Sequence, residues 1–210
     1  LVAHRANSEP VAYVTDLNSG GPKLSRADAF PDRFRMDRSG IEEDGQTFVC
    51  IHNPPLRLAI IGAVHIAQYL APMARACGYT PVIIDPRPAF AAQERFPDET
   101  LIDAWPDTAL ESLDMDARMA VVTLSHDPKL DDPAIIAALG SKVFYLGCLG
   151  SKRTHAKRLD RLRGAGFVDD DLARINGPVG LDLGGRQPAE IAISIMAQIT
   201  QTLRKPSRTV

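Results

Sequence analysis

The stretch Leu-Ala-Ile-Ile-Gly-Ala-Val-His-Ile-Ala, residues 58–67, decides the fold. Its first four residues form an apolar, partly β-branched run that predicts a buried strand, and Gly62 ends this run. Residues 64–77 carry apolar side chains at helical spacing, and Gly78 follows where a helix commonly ends. A buried strand, a glycine turn and a helix in this order predict the first unit of a parallel sheet.

The rest of the chain repeats this alternation. Further strands are predicted at 81–84, near 101–102, at 120–124 and at 142–146, with helices at about 88–94, 133–139, 151–163 and 188–203. Strands that alternate with helices favour a sheet with both faces covered. We therefore predict an α/β fold in which residues 56–210 form a Rossmann-like, doubly wound parallel sheet.

Residues 1–55 differ in composition from the remainder of the chain. They are polar and rich in turn residues, with short alternating stretches at 11–15 and 46–51 on either side of a turn at 18–22. This pattern predicts a small N-terminal, mostly-β domain with antiparallel strands. Its exposed strand edges make a homodimer plausible.

Composition narrows the classes of partner. The net charge of −2 and the pI of about 6.2 give no basic field for nucleic acid or an anionic membrane surface. No apolar run approaches the roughly 20 residues that cross a bilayer. Cys50, Cys77 and Cys148 lie far apart without a CxxC pair, which predicts neither disulfides nor a zinc site and favours the cytoplasm.

The loop after the first Rossmann strand is Gly62-Ala63-Val64-His65. It lies where dinucleotide-binding proteins have GxGxxG, but Val64 replaces the glycine that admits a pyrophosphate. The following helix start still offers N–H groups and a positive dipole end. The sequence therefore favours equally two interpretations of this loop, a turn that binds the cofactor and a turn that binds nothing.

Asp85 ends the second strand of the sheet, and Arg87 follows after a proline. A carboxylate at this point can accept hydrogen bonds from both ribose hydroxyls of a nucleotide, while Arg87 could meet a phosphate. The alternative is an Asp–Arg pair that only orders the loop. Spacing favours contact with a ligand.

Ser125 and His126 follow the strand at 120–124, where His126 would lie at the mouth of the cleft. A histidine there can donate to a phosphate or act as a general acid or base. The alternative is that His126 and Asp127 cap the next helix. Asp131 or Asp132 is the predicted N-cap of that helix, ahead of Pro133.

Residues 147–153, Gly-Cys-Leu-Gly-Ser-Lys-Arg, form a glycine turn that leads into a helix. This turn is predicted to bind an anion through its free N–H groups together with Ser151, Lys152 and Arg153. The alternative is a tight turn followed by a basic helix end that is only solvated. A reactive Cys148 thiol is the less favoured of two interpretations, the other being a small buried residue.

The glycine-rich connection at 177–185 includes Asp182 and precedes the last helix. A lid over the cleft and a structural connection are equally favoured for it. The last helix has Ile191, Ile195 and Ile199 four residues apart, which predicts core packing.

Taken in order, these motifs resemble one known family. The matching stretches are 58–67, 84–87, 125–127 with 130–131, 145–147 with 149–153, 178–182 with Gly184, and Pro188 with 190–192. They resemble the XdhC/CoxI family of accessory proteins for molybdenum hydroxylases such as xanthine dehydrogenase. The resemblance covers about residues 56–203.

The resemblance implies a chaperone that binds molybdenum cofactor, either molybdopterin or its cytosine dinucleotide. Such a protein holds the cofactor while a cysteine desulfurase adds the terminal sulfido ligand. It then helps to insert the cofactor into an apo molybdenum hydroxylase of the xanthine dehydrogenase or CO dehydrogenase type, without turnover of its own. The residues expected to contact the cofactor are Gly62, Ala63, Val64, His65, Asp85, Arg87, Ser125, His126, Gly147, Gly150, Ser151, Lys152, Arg153 and Asp182.

Two other functions remain open from the sequence. One is an NAD(P)-dependent oxidoreductase with Asp85 on the ribose and His126 as general acid, although no clear catalytic pair accompanies them. The other is a nucleotide-sensing or purely structural module with an empty cleft.

Overall fold

The computed structural model describes residue 4 and residues 9–205, and the chain forms two compact units, Leu1–Pro55 and Leu56–Val210. The N-terminal unit is an antiparallel sheet in the order β2-β1-β4-β3, with one short helix, α1. Its elements are β1 (Val11–Asp16), β2 (Pro22–Arg26), α1 (Pro31–Met36), β3 (Gly40–Ile41) and β4 (Thr47–His52).

The C-terminal unit is a parallel sheet in the order β10-β9-β8-β5-β6-β7. Its strands are β5 (Leu56–Ile61), β6 (Tyr79–Ile84), β7 (Thr100–Ile102), β8 (Met119–Thr123), β9 (Tyr145–Cys148) and β10 (Ile175–Asn176). Its helices are α2 (His65–Ala76), α3 (Pro106–Ser112), α4 (Pro128–Leu139), α5 (Lys152–Gly164), α6 (Asp169–Leu172) and α7 (Pro188–Arg204). The predicted α/β class with a mostly-β N-terminal region is confirmed.

Two apolar layers bury both faces of this sheet. Leu58 and Ile60 pack in one layer with residues of α2 and α7, whereas Ala59 and Ile61 pack in the other with residues of α3, α4 and α5. Since successive strand residues point to opposite faces, the residues of β5 from Leu58 to Ile61 must all be apolar. This is why the run at 58–61 has no polar alternation.

The predicted helix at about 88–94 is wrong. The segment consists of turns and one short 3₁₀ turn, Gln93–Arg95. The Arg95 guanidinium donates to the carbonyl oxygens of Ala63 (2.8 Å) and Phe90 (2.6 Å), and these bonds hold the segment in an irregular path. The backbone path of this segment therefore depends on hydrogen bonds that the sequence does not show.

The predicted start of α4 and the predicted bounds of β9 also differ from the structure. Asp127 is the N-cap of α4 and accepts from the Lys129 N–H at 2.9 Å, so the helix begins at Pro128 and Pro133 lies inside it. The prediction of Asp131 or Asp132 as N-cap is wrong. The strand expected at 142–146 begins only at Tyr145 and includes residues expected to form the glycine turn.

Position 147, inside β9, has no room for a side chain, so it requires glycine. A Cβ atom on Gly147 would approach Val179 Cγ2 to 2.5 Å and the Tyr145 hydroxyl oxygen to 2.7 Å. The absence of a side chain therefore serves the contact between β9 and the connection after β10.

Among the described residues, none of the helices combines the length and apolar character needed to cross a membrane. Within the same residues, no group of three or more His, Cys, Asp and Glu side chains has an arrangement that could hold a metal ion.

We predict that Gly147→Ala lowers the free energy of unfolding by about 1–3 kcal/mol, because the new methyl group overpacks this contact. Gly164→Ala is the matched control, since a Cβ there meets no atom within 4 Å. That control should be neutral or slightly stabilising. Urea denaturation of both variants measures the difference, and equal stabilities would contradict the packing role.

Candidate functional site

The candidate site lies where the order of the strands reverses. The chain places β6 on one side of β5 and β8 on the other, and the helices that follow β5 and β8 lie on opposite faces of the sheet. Ligands of doubly wound folds bind at this position. The loop after β9 is the next one along the same edge.

Gly62 brings the loops after β5 and β8 together. Its φ of +101° lies in the region that favours glycine, and a Cβ atom would lie 3.0 Å from the Ser125 backbone nitrogen. The two backbones are therefore so close that a side chain at position 62 would require Ser125 to shift. Both residues stand out in the sequence, and the structure shows that they are in contact.

The first turn of α2 offers backbone donors at this edge. Val64 is the N-cap but has no side-chain acceptor, and the first turn carries no acidic residue. His65, the first residue of the helix, is exposed. No residue of the first turn itself compensates the positive end of the helix dipole, and the nearest carboxylate, Asp85, accepts from the Ala63 N–H and is paired with Arg87.

Asp85 is fully buried and holds the loop after β5 to the end of β6. One carboxylate oxygen accepts from the Ala63 N–H (2.8 Å) and from Arg87 Nη2 (2.7 Å), and the other accepts from the N–H and Nε of Arg87 (3.1 and 2.8 Å). Burial alone would raise the pKa of Asp85, but the Arg87 guanidinium and the two backbone N–H groups hold it below the ordinary value.

These contacts are the loop-ordering pair that stood as the alternative for Asp85. Both carboxylate oxygens are engaged within the protein, and the Arg87 guanidinium also lies over the Phe90 ring at 4.1 Å. Contact between Asp85 and a ribose stays a prediction.

Ser125 turns its hydroxyl toward α4. The hydroxyl donates to Asp131 Oδ1 at 2.7 Å and accepts from the Asp127 N–H at 3.1 Å. Asp131 and Arg158 are each 2% exposed, with 3.7 Å between their nearest charged atoms. Burial raises the pKa of Asp131, although Ser125 and Arg158 oppose the shift. Arg158 Nη2 also donates to the Leu149 carbonyl at 2.9 Å, which ties the loop after β9 to this cluster.

His126 has a backbone conformation that is rare for its type. Its φ is +61°, and its side chain is exposed. Residues other than glycine adopt this region at a cost, and such strain is concentrated at functional sites. The His126 side chain lines a pocket of about 350 Å³ together with Arg153 and Arg158.

The loop after β9 leads directly into α5. Gly150 has a φ of +141°, and Ser151 is the N-cap, its hydroxyl accepting from the Thr154 N–H at 3.1 Å. Lys152 and Arg153 are exposed at the first turn. Within residues 9–205, neither of the two has an ion-pair partner, so their charges face solvent at the carboxyl edge of the sheet.

Cys148 does not have the environment of a reactive thiol. It is fully buried at the end of β9, and burial raises the pKa of its thiol to about 12. The thiol is therefore protonated at neutral pH, because desolvation outweighs the nearby Arg158 charge. The hypothesis of an activated Cys148 is wrong, and the alternative of a small buried residue is correct.

The connection after β10 is structural in its first half. Val179 N–H donates to the Cys148 carbonyl (3.0 Å), Gly180 N–H to Gln198 Oε1 (2.8 Å) and Leu181 N–H to the Ser194 carbonyl (3.1 Å). Asp182 and the residues up to Gln187 are exposed. A role of Asp182 in cofactor binding stays a prediction.

Sequence reasoning missed two residues of the site, Asp131 as a buried carboxylate and Arg158 as its partner. Asp131 had been assigned to a helix cap because it precedes a proline. Arg158 lies in a helix with several exposed basic residues, so nothing in the sequence distinguishes its burial. Only the packing of α4 against α5 separates it from its neighbours.

Comparison with known proteins agrees with this fold. The model of the XdhC Rossmann domain matches residues 58–199. The chain is 34% identical, over 70% of its length, to the molybdenum cofactor insertion chaperone PaoD of Escherichia coli. It is 31% identical, over 72% of its length, to a probable xanthine dehydrogenase subunit of Bacillus subtilis.

The chain spans only 40% and 44% of the length of these two relatives, respectively. Among solved structures, a xanthine dehydrogenase from Bacillus halodurans superposes with a TM-score of 0.71 at 25% identity, covering 99% of this chain and 64% of that one.

The family match extends from β5 into α7 and includes the loops after β5, β6, β8 and β9 that form the site. The predicted resemblance is confirmed: this chain belongs to the XdhC family, and residues 58–199 are its XdhC Rossmann domain.

Proposed function

We propose that the C-terminal unit binds the molybdenum cofactor at the carboxyl edge of its sheet and delivers it to an apo molybdenum hydroxylase of the xanthine dehydrogenase or CO dehydrogenase type. The observation that carries the proposal is the convergence of three loops at this edge, with the starts of α2 and α5 beside the exposed Lys152 and Arg153. Two helix starts and two cations suit the phosphate-bearing tail of the cofactor, molybdopterin or its cytosine dinucleotide.

The close contact between Gly62 and Ser125 supports the fit. The loops after β5 and β8 approach backbone to backbone at Gly62 and Ser125, so no side chain at position 62 stands between them. The bound cofactor would supply a molybdenum centre for the client enzyme. This chain would contribute binding, orientation and protection of the anionic tail.

The cysteines of the C-terminal unit give the metal little to bind. Cys148 is buried with a protonated thiol, and Cys77 lies at the end of α2 opposite the helix start that borders the crevice. The carrier we propose therefore holds the cofactor by its tail. We also propose that a cysteine desulfurase sulfurates the cofactor while this chain holds it, and that this takes place in the cytoplasm. The chain would form a homodimer through its N-terminal sheet.

Relatives support this assignment by name. One is called a molybdenum cofactor insertion chaperone, and the other is named for a probable role in xanthine dehydrogenase. The Rossmann fold also serves NAD(P)-dependent enzymes, but Asp85, which would hold the ribose, is occupied by Ala63 and Arg87. We therefore favour the cofactor carrier.

Anaerobic titration tests the proposal. We expect the purified chain to bind molybdenum cofactor, measured by transfer of the cofactor's absorption to the protein fraction after desalting, and not to quench NAD(P)H fluorescence. NAD(P)H binding without cofactor retention would contradict it and would make His126 the first residue to test as a general acid.

Asp85→Asn separates the structural role of this carboxylate from contact with a ribose. The pKa of Asp85 is lowered by folding, so its stabilisation is present above the unfolded value of about 3.8 and is lost as the pH falls through the lower folded value. We expect the variant to lose roughly 2–3 kcal/mol at pH 7, because Arg87 loses its buried partner. The stability curves of the variant and the native chain should converge in acid.

Asp103→Asn is the matched control for this experiment. Asp103 follows the neighbouring strand β7 and is exposed. The control should keep native stability across the pH range in urea denaturation. A native-like stability of Asp85→Asn, combined with weaker binding of a ribose-bearing ligand, would instead favour the ribose contact.

A further inference from the structure

A basic pocket of about 350 Å³ lies between the start of α4 and one face of α5. Its charged lining comes from Arg153, Lys157, Arg158 and Arg161 of α5, with His126 and Asp131 on the side of α4. Arg153, Lys157 and Arg161 follow one another at steps of four residues, and Arg158 lies three residues before Arg161, so the four side chains share one side of the helix.

Arg158 is the buried member of this lining and lacks acceptors for much of its guanidinium. Only 2% of the side chain is exposed. Nη2 donates to the Leu149 carbonyl and lies 3.7 Å from Asp131 Oδ2, whereas Nε and Nη1 are buried and have no hydrogen-bond partner among the described residues. Buried N–H groups are nearly always satisfied, and those of a charged group are costly to leave unmet. Because Arg158 lines the pocket, a ligand bound there can supply the missing acceptor.

The other charges of the pocket do not supply that acceptor. Asp131 already accepts from the Ser125 hydroxyl at 2.7 Å. Arg161 is held by Asp132, which accepts from its Nε at 2.6 Å and from its Nη2 at 2.9 Å. In the part of the chain that the structure describes, Arg153 and Lys157 have no ion-pair partner. Cations therefore outnumber carboxylates around the pocket.

The helix starts add to this charge. Both α4 and α5 begin at the carboxyl edge of the sheet, beside the pocket, so the positive ends of their dipoles lie there. Asp127 compensates the first of them as its N-cap, while α5 has no acidic residue in its first turn.

We propose that this pocket binds a dianionic phosphate group, either free or as the terminal group of a phosphate ester. Arg158 is its buried anchor through Nε and Nη1, and Arg153 and Lys157 bind it from the exposed side. The proposal goes beyond the cofactor carrier, because it requires only an oxyanion and adds Lys157 and Arg158, while Arg153 belongs to both sites.

Side-chain ¹⁵N NMR of the full chain tests the buried anchor directly. Inorganic phosphate and cytidine 5′-monophosphate are titrated in separate arms at constant ionic strength, with chloride as the control anion. We expect the Arg158 Nε–H resonance, assigned by its absence in Arg158→Lys, to shift in a saturable manner. The melting temperature should rise by about 5 °C at roughly a hundredfold excess over Kd.

A matched pair of lysine variants tests the exposed side. Lys157→Gln removes a cation that lines the pocket, and Lys142→Gln removes an exposed one that precedes β9, at the other end of the strand. We expect Lys157→Gln to weaken phosphate binding by roughly threefold to tenfold, with no change in Lys142→Gln. Tighter binding of the ester than of free phosphate would identify the ester as the source of the group.

Either of two results overturns the proposal. One is an Arg158 resonance and a melting temperature that respond to neither anion, which would mean that water satisfies the buried donors. The other is an equal loss of affinity in the two lysine variants. If the chain retains molybdenum cofactor but shows no phosphate response, this pocket alone is refuted and the carrier function stands.

Discussion

From Leu58 to Ile61, strand β5 is apolar on both of its faces, and helices bury it by covering both faces of the sheet. Ile60 faces the layer that contains α2 and α7, while Ile61 faces the layer that contains α4 and α5. Helices on both faces require the chain to wind outward from β5 in two directions. The reversal of strand order, and hence the crevice at the carboxyl edge, follows from this one constraint.

The loops around the crevice are held in place by hydrogen bonds and ion pairs among its own charged and polar side chains. Asp85 secures the loop after β5, and the cluster of Ser125, Asp131 and Arg158 joins the loops after β8 and β9. The groups that remain available to a ligand are mostly backbone N–H groups, helix dipoles and the exposed cations at the start of α5. These groups can bind an anionic tail, but they offer little for proton transfer to a bound substrate.

The sequence predicted the fold class and most of the Rossmann strands because their apolar runs are long and bounded by glycine or proline. It failed where hydrogen bonds from distant side chains decide the path, as Arg95 does for residues 88–94. It identified Gly62, Ser125 and His126 as candidate site residues at the ends of two strands, and the contact between Gly62 and Ser125 emerged only from the structure. It could not separate the buried Arg158 from its exposed basic neighbours, because burial there depends on packing between two helices.

The central claim is that the carboxyl edge of the parallel sheet is where this XdhC domain holds its ligand. Backbone amide NMR of the full chain, recorded during anaerobic addition of molybdenum cofactor, tests that claim most directly. The account predicts chemical-shift changes concentrated in the loops after β5, β8 and β9 and in the first turns of α2 and α5. Changes confined to the amino ends of the strands, or to the N-terminal unit, would contradict it.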